Sequence, residues 1–130
     1  MPNLTHRYEH KIVYVGDMRD SPVFSLQREG YKIELIQTLD HAVAYIASNP
    51  VDIVILDQEL FIEVDGWSPA QSLKLMRPNV CVIVLSTATP FGMMMPKGVD
   101  AFVHRRDVHG LVATVARFAQ SSRPFIERRA

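Results

Sequence analysis

One cysteine, Cys81, is all the 130-residue sequence contains, so no internal disulfide can staple the chain. It lies within Val80-Cys81-Val82-Ile83-Val84-Leu85, where a buried, inert thiol is expected rather than a nucleophile. Charge of one sign is also lacking. Fourteen Lys plus Arg balance 14 Asp plus Glu, which removes the broad basic field that favours nucleic acid or an anionic membrane. Arg117, Arg123, Arg128 and Arg129 make the C-terminal end locally basic, and a solvated helix end accounts for them. No apolar run approaches the roughly 18 residues of a membrane span. Met1–Lys11 has no apolar centre of the kind a signal peptide needs. Together these absences lead to the expectation of a cytoplasmic chain with neither membrane nor direct nucleic-acid contact. The turn Val15–Pro22 lacks a glycine-rich phosphate cradle. Neither a nucleophile elbow nor metal-ligand spacing among His6, His10, His41, His104 and His109 is visible. A flavin site, a cobalamin site or a small hydrolase therefore finds little support, and no enzymatic turnover is expected.

What is present is a rhythm. Residues 1–10 lack periodicity and read as a flexible N-terminal arm. Lys11–Val15 is β-branched and aromatic, a first strand ended by Gly16-Asp17. Asp20 or Ser21 can cap a helix with Pro22 at its first position. That helix carries Val23, Leu26 and Phe24 inward and stops at Gly30. Tyr31–Leu35 alternates like a second strand. Thr38 or Asp40 caps a helix bearing Ala42, Val43, Tyr45 and Ile46, and Asn49-Pro50 ends it. Val51-Asp52-Ile53-Val54-Ile55-Leu56-Asp57 is a third strand, apolar on both faces, that runs straight into a carboxylate. Asp65-Gly66 forms a turn, and Ser68-Pro69 opens a third helix through Leu73 and Met76. Val80–Leu85 is strand four. The next crossover contains Pro90, Gly92 and Pro96, so any fourth helix there is short or irregular. Ala101–His104 is strand five, and a last helix runs from about Val108 to Gln120 with Leu111, Val112, Val115, Ala116 and Phe118 inward. The pattern predicts one α/β domain over 11–120, a five-stranded parallel sheet with helices on both faces, followed by a short tail at 121–130. In such sheets ligands sit at the carboxyl ends of the strands.

Four features fall at those ends: Gly16-Asp17, Asp57, Ser86-Thr87 and Arg105-Arg106. With VDIVILD, VIVLST and GVDAFVHR, they make the chain resemble the receiver (response regulator, CheY-like) domain of two-component signal transduction, a flavodoxin-like fold, over about residues 10–120. The resemblance implies that Asp57 is the phosphoacceptor. It further implies that Asp17, Asp57 and the backbone carbonyl of Glu59 hold Mg²⁺, an ion that demands octahedral oxygen ligands. Ser86, or Thr87 in a shifted register, takes the phosphate-sensing position. Phe102 matches the aromatic that moves on switching, and Arg105 stands where receivers carry lysine. The partners implied are a histidine kinase or phosphotransfer protein, a downstream protein and, through self-association, a second copy as a homodimer. Three departures mark an atypical member. Glycine replaces one of the paired acids at position 16, arginine replaces the lysine at 105, and prolines break the fourth crossover. Weakened Mg²⁺-dependent phosphorylation follows as the expectation. The alternative is a phosphorylation-independent pseudo-receiver that acts as a protein–protein interaction module.

Overall fold

The structure is a computed structural model that describes residues 10–17, 22–57, 68–87 and 97–121. In chain order the elements are β1 (Lys11–Val15), α1 (Val23–Arg28), β2 (Lys32–Ile36), α2 (Leu39–Ser48), β3 (Ile53–Asp57), α3 (Pro69–Met76), β4 (Cys81–Ser86), β5 (Ala101–His104) and α4 (Val108–Ser121). The strands form one sheet in the order β2-β1-β3-β4-β5, and every neighbouring pair is parallel. β3 is therefore central, and all five of its residues are buried.

Alternation divides the core into two layers. Ile12, Tyr14, Ile53, Ile55, Ile83 and Leu85 pack on one face against Val23 and Leu26 of α1 and Leu111, Val115 and Ala119 of α4. Val13, Val15, Val54, Leu56, Val82 and Val84 pack on the other against Ala42 and Ile46 of α2 and Ala70 and Leu73 of α3. A strand with period two needs helices on both sides when neither set of side chains is polar. Each fully buried Val, Leu or Ile contributes about 1.5–3 kcal/mol over its exposed state.

Local signals place the helices. Thr38 accepts a hydrogen bond from the His41 N–H at 3.2 Å and so caps α2. Gly30, at φ +99°, ends α1. Its N–H donates to Gln27 O at 3.0 Å and that of Tyr31 donates to Leu26 O at 3.1 Å, the paired bonds of a Schellman stop. At α3, Ser68 and Gln71 form a capping box with Pro69 in the first turn. The Ser68 hydroxyl is buried and donates to Lys97 O at 2.6 Å, tying α3 to the approach of β5. Ser68→Ala removes the cap and leaves the part-buried Lys97 carbonyl without this donor. It should lower stability by about 1–2 kcal/mol, read as a shift in the urea midpoint at unchanged slope.

Several sequence expectations need correction. α1 starts one residue later than expected: Pro22 occupies the N-cap position, without a side-chain cap bond. Asp20 and Ser21 lie outside the described residues. Phe24 is 42% exposed, because in so short a helix Val23 and Leu26 already face the sheet and residue 24 is turned about 100° away. Cys81 is half-buried rather than buried, since it opens β4 at the rim of the sheet where helical cover thins. His10, assigned to the arm, is buried beside the start of β1. The remainder of the arm, the fourth crossover with Pro90 and Pro96, and residues 122–130 of the tail lie outside the described residues. Among the described residues no helix is long and apolar enough to cross a membrane.

Candidate functional site

Asp57 continues the alternation of Ile53 and Ile55 and so projects to the α1/α4 face, just past the end of the core. It is 3% exposed. A carboxylate at such depth needs a partner of opposite charge or several hydrogen-bond donors. Arg105 supplies the charge. Residues 101, 103 and 105 share that same face, and Arg105 follows β5 directly. Its guanidinium Nη1 donates to Asp57 Oδ2 in an ion pair. The Arg105 main-chain N–H donates to Ser86 O at 2.8 Å, which fixes the residue at the end of β4 as well. The hydrogen bond to Asp57 is the largest influence on the guanidinium and raises its pKa above the ordinary arginine value. Partial burial opposes this rise, while the charge of Asp57 and the Tyr14 hydroxyl add to it. The cation is thus permanent.

Tyr14 completes the set and is the residue that sequence reasoning missed. It pairs with Ile55 in the parallel register and lies on the same face as Asp57. Two residues of strand rise, about 6–7 Å, separate its backbone from the level of Asp57, a span a tyrosine can cover. Its hydroxyl reaches Asp17 O at 2.8 Å and Asp57 Oδ2 at 3.2 Å, sharing one proton between them. The available signal was a lone hydroxyl-bearing aromatic in a β-branched strand, in phase with Asp57.

Gly16 explains how so much fits. It has φ +147°, and a Cβ built on it would lie 2.6 Å from Asp57 Cβ and 3.2 Å from the Tyr14 hydroxyl. The backbone of the β1 turn passes too close to Asp57 for a side chain at this position.

The other residues singled out in the sequence take the following places. Asp17 is exposed, and its backbone oxygen is the atom that accepts from Tyr14. Ser86 ends β4 and is 4% exposed. Thr87, one residue beyond, is exposed. Phe102 is half-buried and packs on the α2/α3 face, opposite to Arg105; its strand is the sheet edge rather than a central position. Glu59 lies outside the described residues. Among the described residues no group of three or more His, Cys, Asp or Glu side chains is arranged to hold a metal.

No family model matches the chain, and no curated protein matches it. Solved structures do. The response regulator TrrA of Thermotoga maritima, in complex with Mg²⁺-BeF, superposes with a TM-score of 0.65 at 22% identity, covering 84% of this chain and 98% of that one. TrrA bound to the histidine kinase ThkA gives 0.65 at 23% identity, over 84% and 97% of the two chains. The receiver domain of the sensor histidine kinase PA1611 of Pseudomonas aeruginosa, with a magnesium ion in its active-site cleft, gives 0.66 at 20% identity, over 85% and 98%. The fold is that of the CheY-like receiver, and Asp57 lies at the carboxyl end of its central strand.

Proposed function

We propose that the chain is a receiver module of a two-component pathway, with Asp57 as its phosphoacceptor and with phosphorylation weaker than in a receiver that has both acids after β1. One observation carries the reading: a buried carboxylate at the end of the central strand, faced by a cation and set beside the hydroxyl-bearing end of β4. In the reaction, an Asp57 oxygen forms a bond to phosphorus. The bond from phosphorus to the donor's imidazole nitrogen breaks, and its electron pair leaves with the imidazole. Attack through Oδ2 requires the Arg105 and Tyr14 bonds to be exchanged for bonds to the incoming phosphoryl oxygens. Arg105 then neutralises charge that develops there, and Ser86, at the end of β4, donates to the phosphoryl group in this reading. Exchanging these bonds costs free energy that a receiver without them does not spend, hence the weakened acceptor.

The donor in this proposal is a histidine kinase or phosphotransfer protein, and the complex of TrrA with ThkA supports the former. The reader is a downstream protein or a second copy of the chain. The module turns over no small-molecule substrate and works in the cytoplasm. Mg²⁺ is present in two of the solved neighbours. The described residues here provide Asp17 and Asp57 but no third acidic side chain, and they do not fit that ion well.

Incubation with acetyl phosphate followed by intact-mass measurement tests the proposal. The wild-type chain should gain one phosphoryl group, at least about tenfold more slowly than a receiver with both acids, equivalent to about 1.4 kcal/mol of barrier. Asp57→Asn should gain none. A specific observation favours a second reading, the phosphorylation-independent interaction module: Asp57 Oδ2 already accepts from two donors. Absence of any gain in the wild type would establish that reading instead.

A further inference from the structure

We infer that the Arg105 guanidinium and the Tyr14 hydroxyl together occupy the place of a divalent cation at Asp57, so that this site is built to operate without Mg²⁺. The inference rests on the receiver reading for what the site does, but its test does not depend on phosphorylation.

Three features support it. Asp57 Oδ2 accepts from both Arg105 and Tyr14. A carboxylate oxygen has about two lone-pair positions, so this atom has no place left for a metal. Next, the Tyr14 hydroxyl bridges Asp17 O and Asp57 Oδ2, at 2.8 and 3.2 Å. It fills the gap between the ends of β1 and β3, across which an ion would have to reach both Asp17 and Asp57. Finally, the Cβ position of Gly16 lies 2.6 Å from Asp57 Cβ, so the backbone excludes the carboxylate that would complete an acid pair.

Charge leads to the same conclusion. Mg²⁺ keeps tight octahedral geometry and gives up water reluctantly, so it needs a site of net negative charge. Arg105 cancels the charge of Asp57 and, among the described residues, leaves the exposed Asp17 as the acid beside it. A fixed guanidinium also presents paired donors in the geometry that oxyanions of phosphorus accept. The ligand class this site takes is therefore a tetrahedral oxyanion, phosphoryl above all, held by the protein's own cation.

Titration calorimetry with MgCl₂ alone, on the full chain, tests the inference. Wild type should show no saturable binding under conditions that saturate a receiver with both acids. Arg105→Ala should gain Mg²⁺ affinity by about tenfold or more, because the guanidinium no longer neutralises the Asp57 carboxylate or occupies its Oδ2. Tyr14→Phe combined with Arg105→Ala should gain further, and adding Asp57→Asn should abolish the gain. Circular dichroism checks that each variant is folded, and Arg105→Met, which retains the apolar stem, replaces Arg105→Ala if the latter is not. Saturable Mg²⁺ binding by the wild type that disappears in Asp57→Asn would overturn the inference. A folded Arg105 variant with no gain in Mg²⁺ affinity would overturn it equally. Failure of acetyl phosphate to modify the chain bears on the proposed function and leaves these metal titrations intact.

Discussion

Arg105→Ala is expected to lower folding stability by about 2–3 kcal/mol. Removing one member of a buried ion pair leaves an uncompensated charge, which typically costs about 3–5 kcal/mol. The lower figure applies here because the Arg105 side chain is 21% exposed and water reaches part of the site. Asp57→Asn in the Arg105→Ala background should recover part of the loss, since no charge is then stranded. The coupling between the two positions in a double-mutant cycle should be about 1–3 kcal/mol, measured by urea unfolding. Additivity within about 0.5 kcal/mol would mean that the pair holds nothing together. The guanidinium's part in this is insensitive to ordinary pH. Its pKa is raised in the folded state, so its contribution is fully present below the ordinary arginine pKa and is lost only as pH rises through the still higher folded value. Substitution rather than titration is the way to break it from the arginine side.

Gly16→Asp, the change that would restore an acid pair, should impair the fold rather than improve the site. The φ of +147° lies where non-glycine residues are strained, and the new Cβ would meet Asp57 Cβ at 2.6 Å. Strain of about 1–3 kcal/mol and a comparable cost for overpacking give an expected loss of about 3 kcal/mol. Gly16→Ala separates the contributions, because it carries the same Cβ without the charge. Both variants should melt well below wild type, with Gly16→Asp the lower because its carboxylate is pressed against Asp57. A Gly16→Asp chain that melts with the wild type would show that the β1 turn can rearrange and that the close approach is not a fixed property of the fold.

These two substitutions act on the same few atoms from opposite sides. Arg105 relieves the charge of Asp57, and Gly16 leaves room for Asp57 and for the Tyr14 hydroxyl beside it. Both positions therefore serve the same carboxylate: Gly16 keeps the space beside it and Arg105 keeps its charge paired.

Much of the fold was legible in short stretches. Ile53–Asp57 reads as a doubly covered strand because all its apolar positions are β-branched or Leu, and both faces are indeed buried. Ser68-Pro69 announces a helix start because a hydroxyl and a missing N–H suit the first turn, and the capping box is there. Gly30 announces a stop for the equally local reason that its backbone takes a positive φ. Local readings failed where a neighbour in space decides the outcome. Phe24 looked like core, but a six-residue helix has only one inward stripe, and Val23 and Leu26 fill it. Cys81 looked buried within an apolar run, but it opens its strand at the sheet's rim.

By itself, the sequence determined the alternation of strands and helices, the two-sided burial of the central strand, and the placing of Asp57 at that strand's carboxyl end. These follow from the period of apolar residues and from caps and stops that act within a few residues. Only the tertiary structure decided what surrounds Asp57. Tyr14 lies 43 residues from it in sequence and Arg105 lies 48. The strand order β2-β1-β3-β4-β5 brings the first in from a neighbouring strand and the second from two strands away. The parallel register then puts Tyr14 opposite Ile55, in phase with Asp57. No local pattern encodes a contact made across a sheet, because the atoms that meet are set by strand order, register and the parity of each strand, and those exist only once the chain has folded.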